Sequence, residues 1–141
     1  MKKIMNKIVA GLIALTTTCS TLIAGTSFAS SYTSTLNMAY NSWHAGDERY
    51  YDSSNYYIGI YPSSLYNGST SVDVSVCSVT KVLGIVWDYN VLCSTTLNLP
   101  TTGIIFSTQV GTASSGNRCY TFSTSGNRGG FYSSYVAMSS T

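Results

Sequence analysis

Charge is the scarcest ingredient of this 141-residue chain: Asp, Glu, Lys and Arg together make up 9% of it. Three of the seven basic residues, Lys2, Lys3 and Lys7, crowd the first seven positions. From residue 30 onward only Arg49, Lys81, Arg118 and Arg128 stand against Asp47, Glu48, Asp52, Asp73 and Asp88, a net charge of −1. No basic stripe exists there to meet a phosphate backbone or an anionic lipid surface, so nucleic acid is not an expected partner. The good helix formers Ala, Leu, Glu, Lys and Gln are sparse beside Ser, Thr, Tyr, Val and Ile, which suit strands. Proline stands only at Pro62 and Pro100. No C-x-x-C pair offers zinc or dithiol chemistry, and no G-x-S-x-G elbow offers a nucleophile.

Long apolar runs are missing too, with one exception. Ile8 to Gly25 is mostly apolar, follows the three lysines, and leads to Ser27-Phe28-Ala29. A charged start, a greasy middle and small residues at the cut positions form a secretory signal, with cleavage expected after Ala29. A permanent anchor wants about 20 apolar residues. Here Thr16, Thr17, Thr18, Cys19, Ser20 and Thr21 interrupt the run, so no stable membrane anchor is expected. Thr17-Thr18-Cys19 is a poor lipoprotein signal. The expected organisation is a signal peptide over 1–29 and one extracellular domain over 30–141, long enough to bury a core.

What remains reads as strands. Twelve tyrosines and two tryptophans, with Val and Ile runs, argue against the disorder that so much Ser and Thr would otherwise suggest. Val72, Val74 and Val76 alternate with Asp73, Ser75 and Cys77, giving one aliphatic face. Tyr56–Tyr61, Lys81–Tyr89, Val91–Leu99, Ile104–Val110, Arg118–Ser123 and Phe131–Met138 are further strands, with Pro62 and Pro100 as stops. Leu36, Met38 and Tyr40 alternate as a first strand would, and a short helix over 36–43 is the alternative. Gly46 to Ser54 is a charged loop. Asn67-Gly68 is a turn, since both residues tolerate positive φ. Gly84 marks a bulge or turn, and Asp88-Tyr89-Asn90 is another turn candidate. Six to eight short strands predict an all-β, small antiparallel β-sandwich. Ser115-Gly116-Asn117-Arg118 recurs as Ser125-Gly126-Asn127-Arg128. Ordinary hairpin spacing explains the echo better than a paired-arginine anion clamp.

Three cysteines follow residue 29: Cys77, Cys93 and Cys119. Export makes a disulfide plausible, and the odd count leaves one thiol over. A reversal near residue 85 would set Cys77 against Cys93; a reversal at Asp88-Tyr89-Asn90 would not. The Cys77–Cys93 bridge is the expectation.

Catalysis finds little material. His44 is the single histidine, and any Ser-His-Asp or Cys-His site would have to use it. Two acids can always be chosen from five, so paired carboxylates carry no signal. Asp47, Glu48 and Asp52 share a loop without the spacing of an EF-hand. No catalytic residue, metal or cofactor is therefore expected. The remaining interest is aromatic. Tyr50, Tyr51, Tyr56, Tyr57, Tyr61 and Tyr66 fall within 17 residues. On a strand, Tyr57 and Tyr61 share a face with Gly59 between them, and a flat ring with a hydroxyl suits sugars and protein partners alike.

From Thr70 onward the valine-alternating strand, Trp87 shortly after Gly84, Gly116-Asn117-Arg118-Cys119-Tyr120 entering a late strand, and a Ser-rich final strand resemble small uncharacterised exported proteins of Gram-positive bacteria. A fainter likeness is to lactococcin 972-type bacteriocins, which are exported through a cleaved signal and built as small β-sandwiches. These resemblances imply a sandwich and export, and they carry no site residues. The expected function is a secreted, non-catalytic binding domain for cell-wall glycan or a cell-surface partner, with Tyr57 and Tyr61 as its contact residues. The alternative is a bacteriocin- or toxin-like protein acting on other cells. The exported form should begin at Ser30 or within a residue or two of it; an intact mass from culture supernatant that still includes Met1 to Ala29 would refute the cleavage.

Overall fold

The structure is a computed structural model that describes residues 30–68, 70–124 and 129–141. The expected signal over 1–29 and the second Ser-Gly-Asn-Arg copy at 125–128 lie outside the described residues. Nine strands and no helix are found among the described residues: β1 (Ser30–Met38), β2 (Trp43–Ala45), β3 (Arg49–Tyr51), β4 (Asn55–Tyr66), β5 (Thr70–Val82), β6 (Ile85–Leu99), β7 (Phe106–Thr112), β8 (Gly116–Ser123) and β9 (Gly130–Ser140). They form two antiparallel sheets. One has the order β1-β9-β4-β7; the other runs β2-β8-β5-β6, with β3 also pairing β8. The fold is an all-β sandwich.

Strand alternation builds the core. Val72, Val74 and Val76 of β5 are fully buried, and they meet Tyr56, Ile58 and Ile60 of β4, Phe131 and Val136 of β9, and Leu36 and Met38 of β1. Each such side chain stabilises by roughly 1.5–3 kcal/mol when fully buried. The helical alternative over 36–43 is not realised. β1 continues to Met38 because Leu36 and Met38 lie opposite Ser133 and Phe131 and both fill the core. The charged loop over 46–54 contains β3, which joins the edge of β8.

Pro62 does not end its strand. β7 pairs with β4 only from Asn55 to Ile60, so no strand lies beside Pro62 on that side, where its carbonyl instead accepts from the Gly103 N–H at 3.0 Å, and the β9 ladder shifts on either side of it. Irregular ladder positions are where a strand tolerates a residue without an N–H. Asp88-Tyr89-Asn90 lies inside β6. The chain reverses instead at Leu83-Gly84, with φ of 52° and 79°. Two consecutive positive φ values make a type I′ turn, whose twist matches the flanking strands. The ribbon it closes is long. β8 pairs β5 only from Asp73 to Cys77, so the two strands run on together past the sheet, from Ser78 to Asn90.

The two sheets are joined by more than apolar contact. Tyr120 of β8 crosses the interior, and its hydroxyl proton is shared between the Tyr57 carbonyl at 2.9 Å and the Ser139 carbonyl at 3.1 Å, both in the opposite sheet. Its ring belongs to a cluster with Tyr51 and Tyr56, centroids 5.5 to 6.4 Å apart, and Tyr32 meets Tyr51 edge-on at 5.2 Å. Edge and tilted contacts of this kind suit the ring quadrupoles. The hydroxyl is the only group Tyr120→Phe removes. That change should lower unfolding stability by about 1–3 kcal/mol, since it strands buried carbonyls. A lower urea midpoint at unchanged slope would show this; an unmoved midpoint would contradict it.

Candidate functional site

Strand parity sorts the tyrosines into two populations. In β4 the even positions Tyr56, Ile58 and Ile60 point inward. Tyr57, Gly59 and Tyr61 therefore face outward, and both tyrosines are half-buried. The register sets Tyr135 of β9 beside Tyr61, Ala137 beside Gly59 and Ser139 beside Tyr57. On the other flank Gln109 lies opposite Tyr57 and Ser107 opposite Gly59. Tyr132 alternates with the buried Phe131 and so also faces out, with its ring exposed. The result is a row of tyrosines over a low floor of Gly59 and Ala137, edged by hydroxyl and amide groups. Tyr57 and Tyr61 stand about 13 Å apart along the strand. Both residues chosen from the sequence lie on this face. Tyr135 and Tyr132 escape sequence reasoning, because only the register of β9 against β4 brings them there.

A second feature lies at the open edge of the sandwich, where β1 approaches β2 and β3. A cavity of about 220 Å³ has Leu36, Phe122, Val136 and Met138 as its apolar wall and Ser34, His44, Asp47 and Arg49 at its polar side. His44 faces inward because it pairs with the buried Phe122. Serine, histidine and aspartate thus line one pocket, yet the serine and the aspartate bond to other groups. Ser34 Oγ donates to the Thr35 carbonyl at 3.2 Å, and the Asp47 carboxylate holds Arg49 at 2.8 Å. Arg49 also lies over the Tyr32 ring at 5.7 Å. A triad needs the nucleophile bonded to the base and the base to the acid. The remaining acids disperse as well: Glu48 pairs with Lys81, and Asp52 accepts from Ser30 Oγ at 2.6 Å. Among the described residues no three His, Cys, Asp or Glu side chains gather as a metal site.

Arg118, half of the sequence echo, has a local task. Its guanidinium donates to the carbonyls of Ser114, Ser115 and Asn117 and so fastens the turn between β7 and β8.

The cysteines depart from expectation. Cys77, Cys93 and Cys119 are all free thiols, so the expected Cys77–Cys93 disulfide is not formed. The β5–β6 ribbon reverses at Leu83-Gly84, ahead of residue 85, and its two ladder shifts, at Val76/Cys77 and Thr80/Lys81, recover only part of that offset. They place Cys93 opposite Val76, on the inner face, where it abuts Gly111 of β7. Cys77 lies opposite Val91 and, across the other edge of β5, opposite Cys119. The Cys77 thiol lies 3.6 Å from the Thr121 hydroxyl, and the Cys119 thiol donates to the Gly46 carbonyl at 3.0 Å.

Burial pushes all three thiols up, Cys119 to about 11, with neighbouring Cys77, Glu48 and Asp47 adding to that shift. Burial likewise raises Tyr51, Tyr56 and Tyr120 above the usual phenol range. Thiolate chemistry is thereby suppressed. In each case folding favours the neutral form, so the stabilisation is whole below the unfolded pKa and fades as pH rises toward the folded one.

Comparison with known proteins returns no matching family model, no matching curated protein and no matching solved structure.

The urea midpoint should therefore hold level up to about pH 9, the ordinary thiol value, and fall between there and about pH 11, the folded value of Cys119. Cys119→Ala should flatten part of that fall. A midpoint that rises over the same interval would contradict the assignment.

Proposed function

We propose that this protein is an exported, non-catalytic binding domain that takes cell-wall glycan on the outer face of the β1-β9-β4-β7 sheet. One observation carries the reading: Tyr57 and Tyr61 stand half-exposed on either side of Gly59, with Tyr135 beside them. A sugar ring presents C–H groups to an aromatic face and hydroxyls to its rim. The tyrosine rings supply the first contact, and Ser107 and Gln109 border the second. The surface suits a neutral, hydroxyl-rich ligand better than a charged one, because no acid or base lies among these outward-facing positions.

A second reading, a bacteriocin- or toxin-like protein acting on other cells, is supported by a separate observation: Val82, Leu83, Ile85, Val86 and Trp87 at the end of the β5–β6 ribbon are all exposed.

The glycan reading is tested by pull-down on insoluble cell-wall glycan. A stacked ring contributes about 0.5–1.5 kcal/mol, so Tyr57→Ala with Tyr61→Ala should weaken retention roughly tenfold or more. The variant should keep its near-ultraviolet circular dichroism, because both rings sit outside the core. Failure of the unaltered protein to bind any glycan would refute the ligand. Loss of folding in the variant would show that the two rings are structural.

A further inference from the structure

The β5–β6 ribbon ends in a cluster that breaks the pattern of the rest of the surface. Val82 is 51% exposed, Leu83 96%, Ile85 71%, Val86 41% and Trp87 78%. Apart from Gly84, no residue from Val82 to Trp87 is anything but large and apolar.

The cluster is apolar on every side. Val82 and Ile85 are cross-strand partners and share one face; Val86, paired with Lys81, occupies the other. Leu83 forms the apex. Trp87 is the extra residue of the ladder shift between Lys81↔Val86 and Thr80↔Asp88, and a bulge re-aims the side chain it carries. The apex also departs from the turn chemistry used elsewhere in this chain. Asn67-Gly68 puts asparagine at a positive φ of 78°, whereas Leu83 holds φ 52° with a branched side chain that gains no burial there. Asparagine suits such a position far better than leucine.

We infer that this hairpin end is a lipid-contact element, inserting its apex into the boundary between headgroups and acyl chains of a phospholipid bilayer. Area argues against a folded protein partner. At about 100 Å² for a fully exposed apolar side chain, the five residues present roughly 350 Å², divided between two faces and a tip. A flat partner covers one face, while stable interfaces need about 800 Å² from each side. A bilayer surrounds the end and takes all of it.

Depth is bounded by length. From Ser78 to Val82 and from Ile85 to Asn90 the strands run about 17–20 Å, too short to cross a hydrocarbon core of about 30 Å. The outer edges of a two-stranded ribbon also keep unpaired N–H and C=O groups, which exclude it from deep hydrocarbon. Shallow insertion of about 5–10 Å remains. Trp87, Tyr89 and Trp43 lie nearer the sandwich than the apex, with Trp43 and Tyr89 edge-on at 5.3 Å, in the order expected of an aromatic belt at the interface. Charge contributes little, since Lys81 is paired with Glu48 and Asp88 lies close by. The contact therefore needs no anionic lipid. It does not rest on the glycan reading, and it holds whether or not the protein harms the cell it touches.

The test uses the segment Ser30–Thr141, which holds every described strand, and sedimentation with phosphatidylcholine vesicles that carry no sugar. The unaltered protein should sediment with the vesicles, and its tryptophan emission should shift to the blue. Raising salt from about 50 to about 500 mM should change binding less than about twofold, because screening acts only on charge. Leu83→Asn with Ile85→Asn should cut partitioning roughly tenfold or more, and asparagine preserves the turn. Trp87→Ser, made separately, should weaken binding in the same direction. Tyr57→Ala with Tyr61→Ala should bind vesicles as the unaltered protein does, which separates this inference from the glycan reading. The inference is overturned if the unaltered protein ignores the vesicles, if the hairpin variants bind as well as it does, or if salt abolishes binding. It is also overturned if sedimentation velocity shows a dimer that the hairpin variants dissolve, since a second copy then covers the apex.

Discussion

One hydroxyl proton links the two halves of this fold. Tyr120 projects from β8 through the sandwich and reaches the carbonyls of Tyr57 and Ser139 in the opposite sheet. Apolar contact between sheets is non-directional and tolerates sliding. A shared proton at 2.9 and 3.1 Å does not, because hydrogen bonds weaken steeply with misalignment. The bond fixes where β8 lies relative to β4 and β9. It thereby fixes the height at which Tyr57, whose own carbonyl accepts the bond, stands on the outer surface. The tyrosines inside, Tyr51, Tyr56 and Tyr120, set the spacing of the sheets; those outside are left with their rings toward solvent. The same residue type serves both purposes, and strand parity decides which.

How much of this could be read from the sequence varied with the range of the interaction. The alternating valines of β5 and the Asn67-Gly68 turn are local signals, and the structure has both. The all-β class followed from composition. Pro62 misled because its effect depends on which neighbour pairs it: with the β4–β7 pairing ending at Ile60↔Phe106, the missing N–H faces no partner strand. Cys77 and Cys93 misled for a related reason. A turn at Leu83-Gly84 with an unbroken ladder would set Cys93 opposite Val74, and the two single-residue shifts move it only to Val76, one residue short of Cys77 and so on the opposite face from it. Bulges have no firm sequence signature, and every shift of one reverses a face. The row of outer tyrosines was visible only by half, since Tyr57 and Tyr61 share a strand while Tyr135 and Tyr132 arrive from β9 through long-range pairing.

Low charge gives the surface its character. Ser, Thr, Asn and Gly take over the work of solvation, and several of the few ionised groups pair with each other or with backbone, as Asp47 does with Arg49 and Arg118 with its own turn. Against such a background an aromatic row on one sheet and a bare aliphatic apex at the end of the other are separate contact surfaces. The first is built on a stiff, doubly paired strand and suits a ligand that needs ordered ring faces. The second is a ribbon that leaves the sheet after Cys77 and suits a soft, enveloping environment. Neither depends on a reactive group, in keeping with thiols that burial holds protonated.

The role of Tyr120 is the point on which these surfaces rest, and proton exchange reads it directly. In nuclear magnetic resonance spectra of the protein in water, the Tyr120 hydroxyl proton should give a resolved resonance with cross-peaks to the Tyr57–Ile58 and Ser139–Ser140 backbone. Its exchange with solvent should proceed only as fast as global unfolding allows. A Tyr120 hydroxyl that exchanges as rapidly as that of the exposed Tyr50 would show that the sheets are not joined there, and the account would fail.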